Sequence, residues 1–276
     1  MKDIQFTVES NEKKAPGVWR MRFICAESFG PVLGGQFLHL EIPNRPDMPL
    51  RRPFCIYQYD RRSVTIVYAA VGAGTEAMTD IRPGQTVKCL LPLGNGFDFK
   101  VILGGAENPR AQKDKKRVAL VGGGLGAAPL LPVIGEYPAA EFHAYLGFAN
   151  AAVAAVFTED FQNAARNADL KINLFTDDGS AGVKGFPTAA LDRDIGNGLR
   201  FDAILTCGPH PLMKAVRGIA VKYDIDAFMS GENRMACGAG ACLTCTCAVR
   251  GADGAEHNLR ACVDGPVFDL TRIAFN

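Results

Sequence analysis

The chain is 276 residues long, 48% hydrophobic, with a formal net charge of +1, 30 glycines and 16 prolines. That length holds two ordinary domains, or two and a small module, and the hydrophobic fraction allows real cores. A charge so near zero leaves no electrostatic footprint for nucleic acid or an anionic membrane as partner, and no run reaches the length of a membrane span. The chain opens on Met1-Lys2-Asp3-Ile4-Gln5-Phe6, strand-like alternation with no apolar signal core, so a cytoplasmic location is expected.

From residue 3 to about 100 the pattern is strands and turns with one short helix. Ile4, Phe6 and Val8 alternate with polar residues, as do Trp19, Met21, Phe23 and Cys25 with Arg20 and Arg22, which is the period of half-buried sheet. Further strands are expected at 35–42, 53–59, 63–70 and 86–92, and six short antiparallel strands with Gly and Pro turns predict a small closed barrel. Within it, Arg51-Arg52-Pro53-Phe54-Cys55-Ile56-Tyr57 resembles the R-x-Y/F-S/T flavin motif of the ferredoxin reductase superfamily. The resemblance implies that Arg52 pairs with a pyrophosphate and that Pro53 and Phe54 lie beside a flavin. Cys55 stands where Ser or Thr is usual, and a thiol is a poorer donor to the flavin ring. Tyr68 then leads out of a strand into Gly72-Ala73-Gly74-Thr75, a glycine turn entering a short helix with Thr75 as expected N-cap, a place suited to phosphate oxygens. Gly35-Gln36-Phe37 and Leu93-Gly94-Asn95-Gly96-Phe97 fall where the superfamily carries similar stretches. Together they predict an FAD-binding domain over 1–100.

Residues 101–116 lose the alternation and become charged, reading as a connection at a domain boundary. The period then changes. Arg117-Val118-Ala119-Leu120-Val121 is a buried strand, and Gly122, Gly124 and Ala127 satisfy G-x-G-x-x-G/A at a strand-to-helix junction. A tight turn there lets a dinucleotide pyrophosphate meet the helix N-terminus, making Gly122, Gly124 and Gly126 candidates to hold it. Strand 141–147, helix 151–168, strand 171–176, helix 187–193, strand 201–206, helix 210–223 and strand 226–230 continue the alternation of a doubly wound parallel sheet, an NAD-binding domain over 101–225.

Two loops fall at the carboxyl ends of its strands, Thr176-Asp177-Asp178-Gly179-Ser180 and Thr206-Cys207-Gly208-Pro209-His210. The second resembles the Cys-Gly-Pro motif of ferredoxin reductase nucleotide domains, which implies that Cys207 and Gly208 approach the nicotinamide; hydride transfer would be aligned near Cys55, Cys207 and Gly208. His210 is read as a helix-start residue. The segment 147–156 carries no positive charge to meet a 2′-phosphate, so NAD is favoured over NADP, although Glu159 and Asp160 lie too late to be a ribose ligand.

Of nine cysteines, Cys25, Cys55, Cys89 and Cys207 are dispersed through strand-like segments, by default small core hydrophobes, and five fall in the last forty residues. Cys237, Cys242 and Cys245 have the C-x4-C-x2-C spacing of a plant-type iron–sulfur loop, with a distant fourth at Cys262. A [2Fe–2S] core takes two thiolates on each iron, and Gly238 and Gly240 allow a loop to curl round it. Zinc, which favours paired C-x2-C knuckles, and unligated thiols are the bland readings. Residues 226–276 are thus a small cluster module, with Cys247 a bystander on an outgoing strand.

With Asp177-Asp178-Gly179-Ser180, Glu232-Asn233-Arg234-Met235-Ala236-Cys237-Gly238 and Cys262-Val263-Asp264-Gly265-Pro266-Val267-Phe268, the chain resembles, over nearly its whole length, the family of electron-transfer subunits of dihydroorotate dehydrogenase B. The resemblance implies cluster ligands Cys237, Cys242, Cys245 and Cys262, and an FMN-containing catalytic subunit as partner in a heterotetramer. It also implies a relay from dihydroorotate through the [2Fe–2S] cluster and FAD to NAD+, in pyrimidine biosynthesis. The related subunits of an NADH-dependent ferredoxin:NADP oxidoreductase or of a sulfhydrogenase, and a non-redox binding module on the same fold, are the alternatives.

Overall fold

The computed structural model describes residues 1–103, 115–251 and 253–275. The central part of the connection expected at 101–116 lies outside the described residues.

The first part of the chain forms β1 (Lys2–Ala15), β2 (Val18–Ile24), β3 (Phe37–Leu40), β4 (Arg52–Cys55), β5 (Gln58–Tyr59), β6 (Ser63–Ala69) and β7 (Thr86–Leu93), with α1 (Ala73–Met78) before β7 and α2 (Phe99–Ile102) after it. These strands make one antiparallel sheet in the order β4-β3-β7-β1-β2-β6-β5. Seven strands appear where six were expected, because the run predicted at 53–59 changes partner midway. Its first half pairs with β3 and its second with β6. The switch falls between Ile56, whose N–H donates to the Gln36 carbonyl (3.1 Å), and Tyr57, whose N–H donates to Thr65 (3.0 Å). The sheet's two edges are therefore successive parts of one short stretch, and the sheet curls round the apolar filling expected from the alternation: Phe6, Val8, Met21, Phe23, Leu38 and Leu40, all buried.

The second part alternates strand and helix: β8 (Arg117–Gly123), α3 (Leu131–Glu136), β9 (Glu141–Phe148), α4 (Ala151–Ala165), β10 (Asp169–Thr176), β11 (Val183–Lys184), α5 (Pro187–Gly196), β12 (Ala203–Cys207), α6 (His210–Tyr223) and β13 (Ala227–Ser230). A hairpin, β14 (Thr246–Arg250) with β15 (Glu256–Arg260), and β16 (Val267–Asp269) follow. The large sheet has the order β11-β10-β9-β8-β12-β13-β16, parallel except for β16. Helix α6 occupies the predicted 210–223 because Met213, Val216, Ile219 and Ala220 repeat at helical spacing and are buried, and Asp224 in the left-handed region (φ 52°) ends it. The helix expected directly after the glycine turn is instead a 3₁₀ stretch, Gly124–Leu130, and only then α3. Glycines and Pro129 make this segment a poor α-helix.

β16 is unannounced in the sequence pattern. Three residues cannot display a period, and its place is decided by β13, to which it bonds, and by Asn95. The Asn95 side chain donates to the Val267 carbonyl (2.9 Å) and accepts from the Val267 N–H (3.0 Å), while its own N–H donates to Gly265 (2.7 Å). Further along the boundary, Asp160 accepts from Arg20 (2.7 Å) and from the Tyr57 hydroxyl (2.6 Å), and Glu136 accepts from Gly34 N–H and the Tyr59 hydroxyl (both 2.7 Å). The barrel is thus tied to the larger sheet at three places.

Candidate functional site

Two clefts lie against the glycine turn after β8. The first, of about 410 Å³, is lined by Pro53, Phe54 and Cys55 of β4, Tyr68 of β6, and Thr75 of α1 on the barrel side. Leu125 and Ala128 of the turn and residues 230–233 close the other side. The second, of about 500 Å³, sits at the carboxyl ends of the parallel strands. Gly123 and Gly124, Gly147 and Phe148, Asp177, Pro187 and Pro209 belong to its wall. Both volumes are in the range of small-molecule sites, about 300–1,000 Å³, and open α/β sheets bind ligands at such strand ends. The turn 123–128 is their common wall.

Of the residues expected at a flavin, Pro53, Phe54, Cys55, Tyr68 and Thr75 line the first cleft. Arg52 and Gly74 lie against each other beside it: a Cβ on Gly74 would fall 2.8 Å from Arg52 Nη2. The guanidinium occupies the space that a side chain at position 74 would take. Arg51 is bound by Asp3 (2.9 Å) and Glu41 (3.2 Å), whereas Arg52 has no carboxylate partner among the described residues and can answer an external anion. Thr75 is not the N-cap that was expected. Gly72 holds that place, and Thr75, in the helix, reaches back so that its hydroxyl accepts from Val71 N–H (3.0 Å) and Gly72 N–H (3.2 Å).

In the nucleotide turn, Gly124 (φ 57°) lines the second cleft, while Gly122 and Gly126 serve close packing. A Cβ on Gly122 would stand 3.0 Å from Ala127 Cα, and one on Gly126 would meet the Cys207–Gly208 peptide at 2.5–2.6 Å. Gly208 in turn comes so near Gly123 that its own Cβ would lie 3.0 Å from Gly123 N. The two glycine loops interlock, which places Cys207 beneath the wall, buried, rather than on the surface of either cleft. Pro209 takes the lining position next to it.

Cys55 on the first cleft and Cys207 beneath the wall are near enough to feel each other and Glu232 electrostatically, and Ser230 at the end of β13 hydrogen-bonds Cys207. Burial pushes the Cys55 thiol up to about 12 and Cys207 well above its ordinary value, and Glu232 raises both further. Both are neutral thiols at neutral pH, packing groups and weak donors rather than nucleophiles. Ser230 carries no mark in the sequence, and Glu232 stands there only as part of the stretch Glu232–Gly238, with nothing local to assign it a place beside these thiols.

The cysteine loop follows directly. Met235 and Ala261, neighbours in sequence of the first and last cysteines, line the first cleft, so cleft and loop are continuous. The thiols come in pairs. Cys245 and Cys262, both buried, have their Sγ atoms 3.3 Å apart, and the Cys242 N–H donates to Cys237 Sγ at 3.5 Å, with Ala239 N–H at 3.4 Å. Two thiolates on one tetrahedral metal at about 2.3 Å lie roughly 3.8 Å apart, near what Cys245 and Cys262 already show. Pairs suit a two-iron core. Hydrogen bonding from Thr244 draws the exposed Cys242 thiol down to about 6, towards the thiolate a metal needs, while burial raises Cys262 to about 11. Cys247, on β14, turns instead to the Leu259 carbonyl (3.5 Å). Backbone amides aimed at Cys237 Sγ and positive φ at Gly238 and Gly240 (67° and 82°) complete a loop fitted to an inorganic core.

His39 also borders this loop and was not foreseen. It is fully buried, burial drives its ring down to about 4, and neither ring nitrogen has a hydrogen-bond partner. In sequence it is one polar residue within an apolar strand.

Residues 232–274 match the family model of the iron–sulfur cluster binding domain of dihydroorotate dehydrogenase B. Over 274 residues the chain is 36% identical to the dihydroorotate dehydrogenase B (NAD+) electron transfer subunit of Streptococcus mutans, covering 97% of this chain and 96% of that one. Against the subunit of the same name from Bacillus pumilus it is 33% identical over 284 residues, covering both completely. Among solved structures, an NADH-dependent reduced ferredoxin-NADP oxidoreductase superposes with a TM-score of 0.80 at 23% identity, covering 98% of this chain and 89% of that one. A ferredoxin NADP+ reductase from Neisseria gonorrhoeae gives 0.64 at 13%, covering 81% and 92%. These last two share the fold.

Proposed function

The chain belongs to the family of dihydroorotate dehydrogenase B (NAD+) electron transfer subunits, and from that premise we propose that it passes electrons between an FMN-bearing catalytic subunit and NAD+ through one [2Fe–2S] cluster and one FAD. As an electron transfer subunit it works with a separate catalytic subunit. The observation that carries the reading is the continuity of three places: the nucleotide cleft, the first cleft on the other side of the turn 123–128, and the paired cysteines that begin where that first cleft ends. Bound flavin exchanges a hydride with nicotinamide on one side and single electrons with an iron–sulfur centre on the other.

The chain's own residues then have distinct tasks. In the barrel of 1–100, Arg52 faces the FAD pyrophosphate in the space left by Gly74, with Thr75 holding the turn, and Pro53, Phe54, Cys55 and Tyr68 flank the ring. In 101–225, Gly122, Gly124 and Gly126 shape the turn that would meet the NAD+ pyrophosphate, while Cys207 and Gly208 support that turn from beneath, where nicotinamide and flavin would have to come together. In 226–276, Cys237 with Cys242 and Cys245 with Cys262 hold the two irons. Asp177, the only charged residue lining the nucleotide cleft among the described residues, fits the ribose diol and repels a 2′-phosphate, which supports NAD+ over NADP+. Ser180 and Asn150 occupy the first amides of α4, so these too are withheld from a phosphate. No helix among the described residues is long and apolar enough to cross a membrane, and a cytoplasmic heterotetramer is the assembly we propose.

The test is co-expression with a candidate FMN subunit. A stable complex that contains iron and FAD and reduces NAD+ on addition of dihydroorotate is expected. No complex, and no activity above either chain alone, overturns the assignment.

A further inference from the structure

Strand β3 faces two ways. Leu38 and Leu40 enter the barrel core, and Phe37 and His39, on the opposite face by strand alternation, look outward. Phe37 packs in the same apolar cluster as Cys245 and Cys262. His39 meets Gly238: a Cβ on that glycine would lie 2.6 Å from His39 Nδ1 and 3.3 Å from Cγ and Cε1. On the other side, His39 stands opposite Pro53 in the β3–β4 ladder. One ring thus lies between the strand of Arg52 and Cys55 and the loop of Cys237 and Cys242.

Its nitrogens are fully buried without partners, a costly state for a polar group that calls for a reason. The polar groups nearby are the backbone acceptors of Arg51 and Cys237. A neutral imidazole has one N–H and can serve only one of them. The ring atom nearest the loop is Nδ1, which stands against Gly238, the residue bonded to the Cys237 carbonyl.

We propose that His39 is a positioning residue for the iron–sulfur loop: it seats Gly238 on β3 and directs a ring N–H at the Cys237 carbonyl, holding the Cys237–Cys242 arm against the flavin strand. The inference rests on the reading of Cys237 and Cys242 as cluster ligands. A cluster held by Cys237 would have this N–H nearby, and its partial positive charge would favour the reduced state, since hydrogen bonds and burial set such potentials. Direct contact between Gly238 and the ring explains why a histidine, with a flat edge and a donor, stands in a strand otherwise filled by Phe and Leu.

The experiment uses the full chain loaded with FAD and cluster. His39→Phe keeps the ring volume without a donor; His39→Asn supplies an N–H near the Nδ1 position. Iron and sulfide content, the EPR spectrum of the reduced cluster, and the equilibrium between reduced cluster and reduced flavin are measured in each. His39→Phe should retain FAD, alter the EPR spectrum and shift that equilibrium about tenfold away from reduced cluster, equivalent to about 59 mV for one electron, or lose iron while keeping FAD. In either case His39→Asn should recover most of the wild-type behaviour. Wild-type spectrum and equilibrium in His39→Phe overturn the inference, as does equal damage in both variants. A wild-type protein without iron overturns the cluster reading itself, an outcome distinct from an iron-loaded protein indifferent to His39.

Discussion

At the amino ends of the parallel strands the chain packs charge, and at their carboxyl ends it packs glycine. Glu141, at the start of β9, accepts from Arg117 (2.8 Å), His143 (2.8 Å) and Lys171 (3.0 Å), and Lys115 and Lys116 reach Asp169 (2.6 Å) and Asp202 (2.7 Å) beside it. Hydrogen bonding from Arg117, aided by the others, holds the Glu141 carboxyl well below the usual carboxylate range. That end answers its charges with its own groups, leaving Arg117 Nε as a buried donor without a partner. At the other end the strands run out into Gly122-Gly123-Gly124, Gly147 and Gly208 and two clefts, with Asp177 lining one and Glu232 the other. One end spends its polar groups on itself and so holds the sheet together; the other keeps backbone close and uncovered and so can accept a ligand. The cysteine loop, reached from β13, extends the second kind of construction.

The comparison is broken most completely at the cysteines. Cys262→Ser is expected to remove the cluster and with it all electron transfer to NAD+, while Cys247→Ser, whose thiol faces the Leu259 carbonyl, keeps wild-type iron and sulfide. Iron and sulfide analysis of the two variants decides it. Equal loss in both would mean that Cys247 is a ligand.

A smaller effect is expected at the amino end. Glu141→Gln leaves its charged partners poorly satisfied and should cost about 1–3 kcal/mol in urea unfolding at pH 7, with nicotinamide binding unchanged. The folded carboxyl titrates below its unfolded value of about 4.3. Its stabilisation is therefore complete above that value and is lost as the pH falls through the folded one. The gap between wild type and Glu141→Gln should narrow as the pH is lowered from 7 towards 3; a gap independent of pH would refute the ion-pair account.

The mildest change is at Asp177. Asp177→Asn keeps the shape and removes the charge, so NAD+ should bind about tenfold more weakly, the worth of one charge-assisted hydrogen bond. Discrimination against NADP+ should fall with it. Titration of both nucleotides by flavin or protein fluorescence measures this, and an unchanged preference would place the specificity elsewhere in the cleft.

Much of this architecture was legible before any coordinates. The change of hydrophobic period near residue 117 separates barrel from parallel sheet, α6 was expected over 210–223 and found at His210–Tyr223, and the cysteine spacing already named a cluster loop. These features are local. Period, turn chemistry and ligand spacing are properties of neighbouring residues, and the chain carries them whatever it packs against.

What the sequence left open depends on contacts between distant residues. The switch of 52–59 from β3 to β6, the addition of β16 through Asn95, and the use of Asp160 by Arg20 and Tyr57 rather than by a ribose have no local mark. Neither has the nearness of Cys55, Cys207 and Glu232, nor the burial of His39 against Gly238. The residues that could hold the cofactors were written in motifs. Which groups stand behind those motifs and set their position was decided only by close packing, where a single missing Cβ, at Gly74, Gly126 or Gly238, determines what can lie beside it.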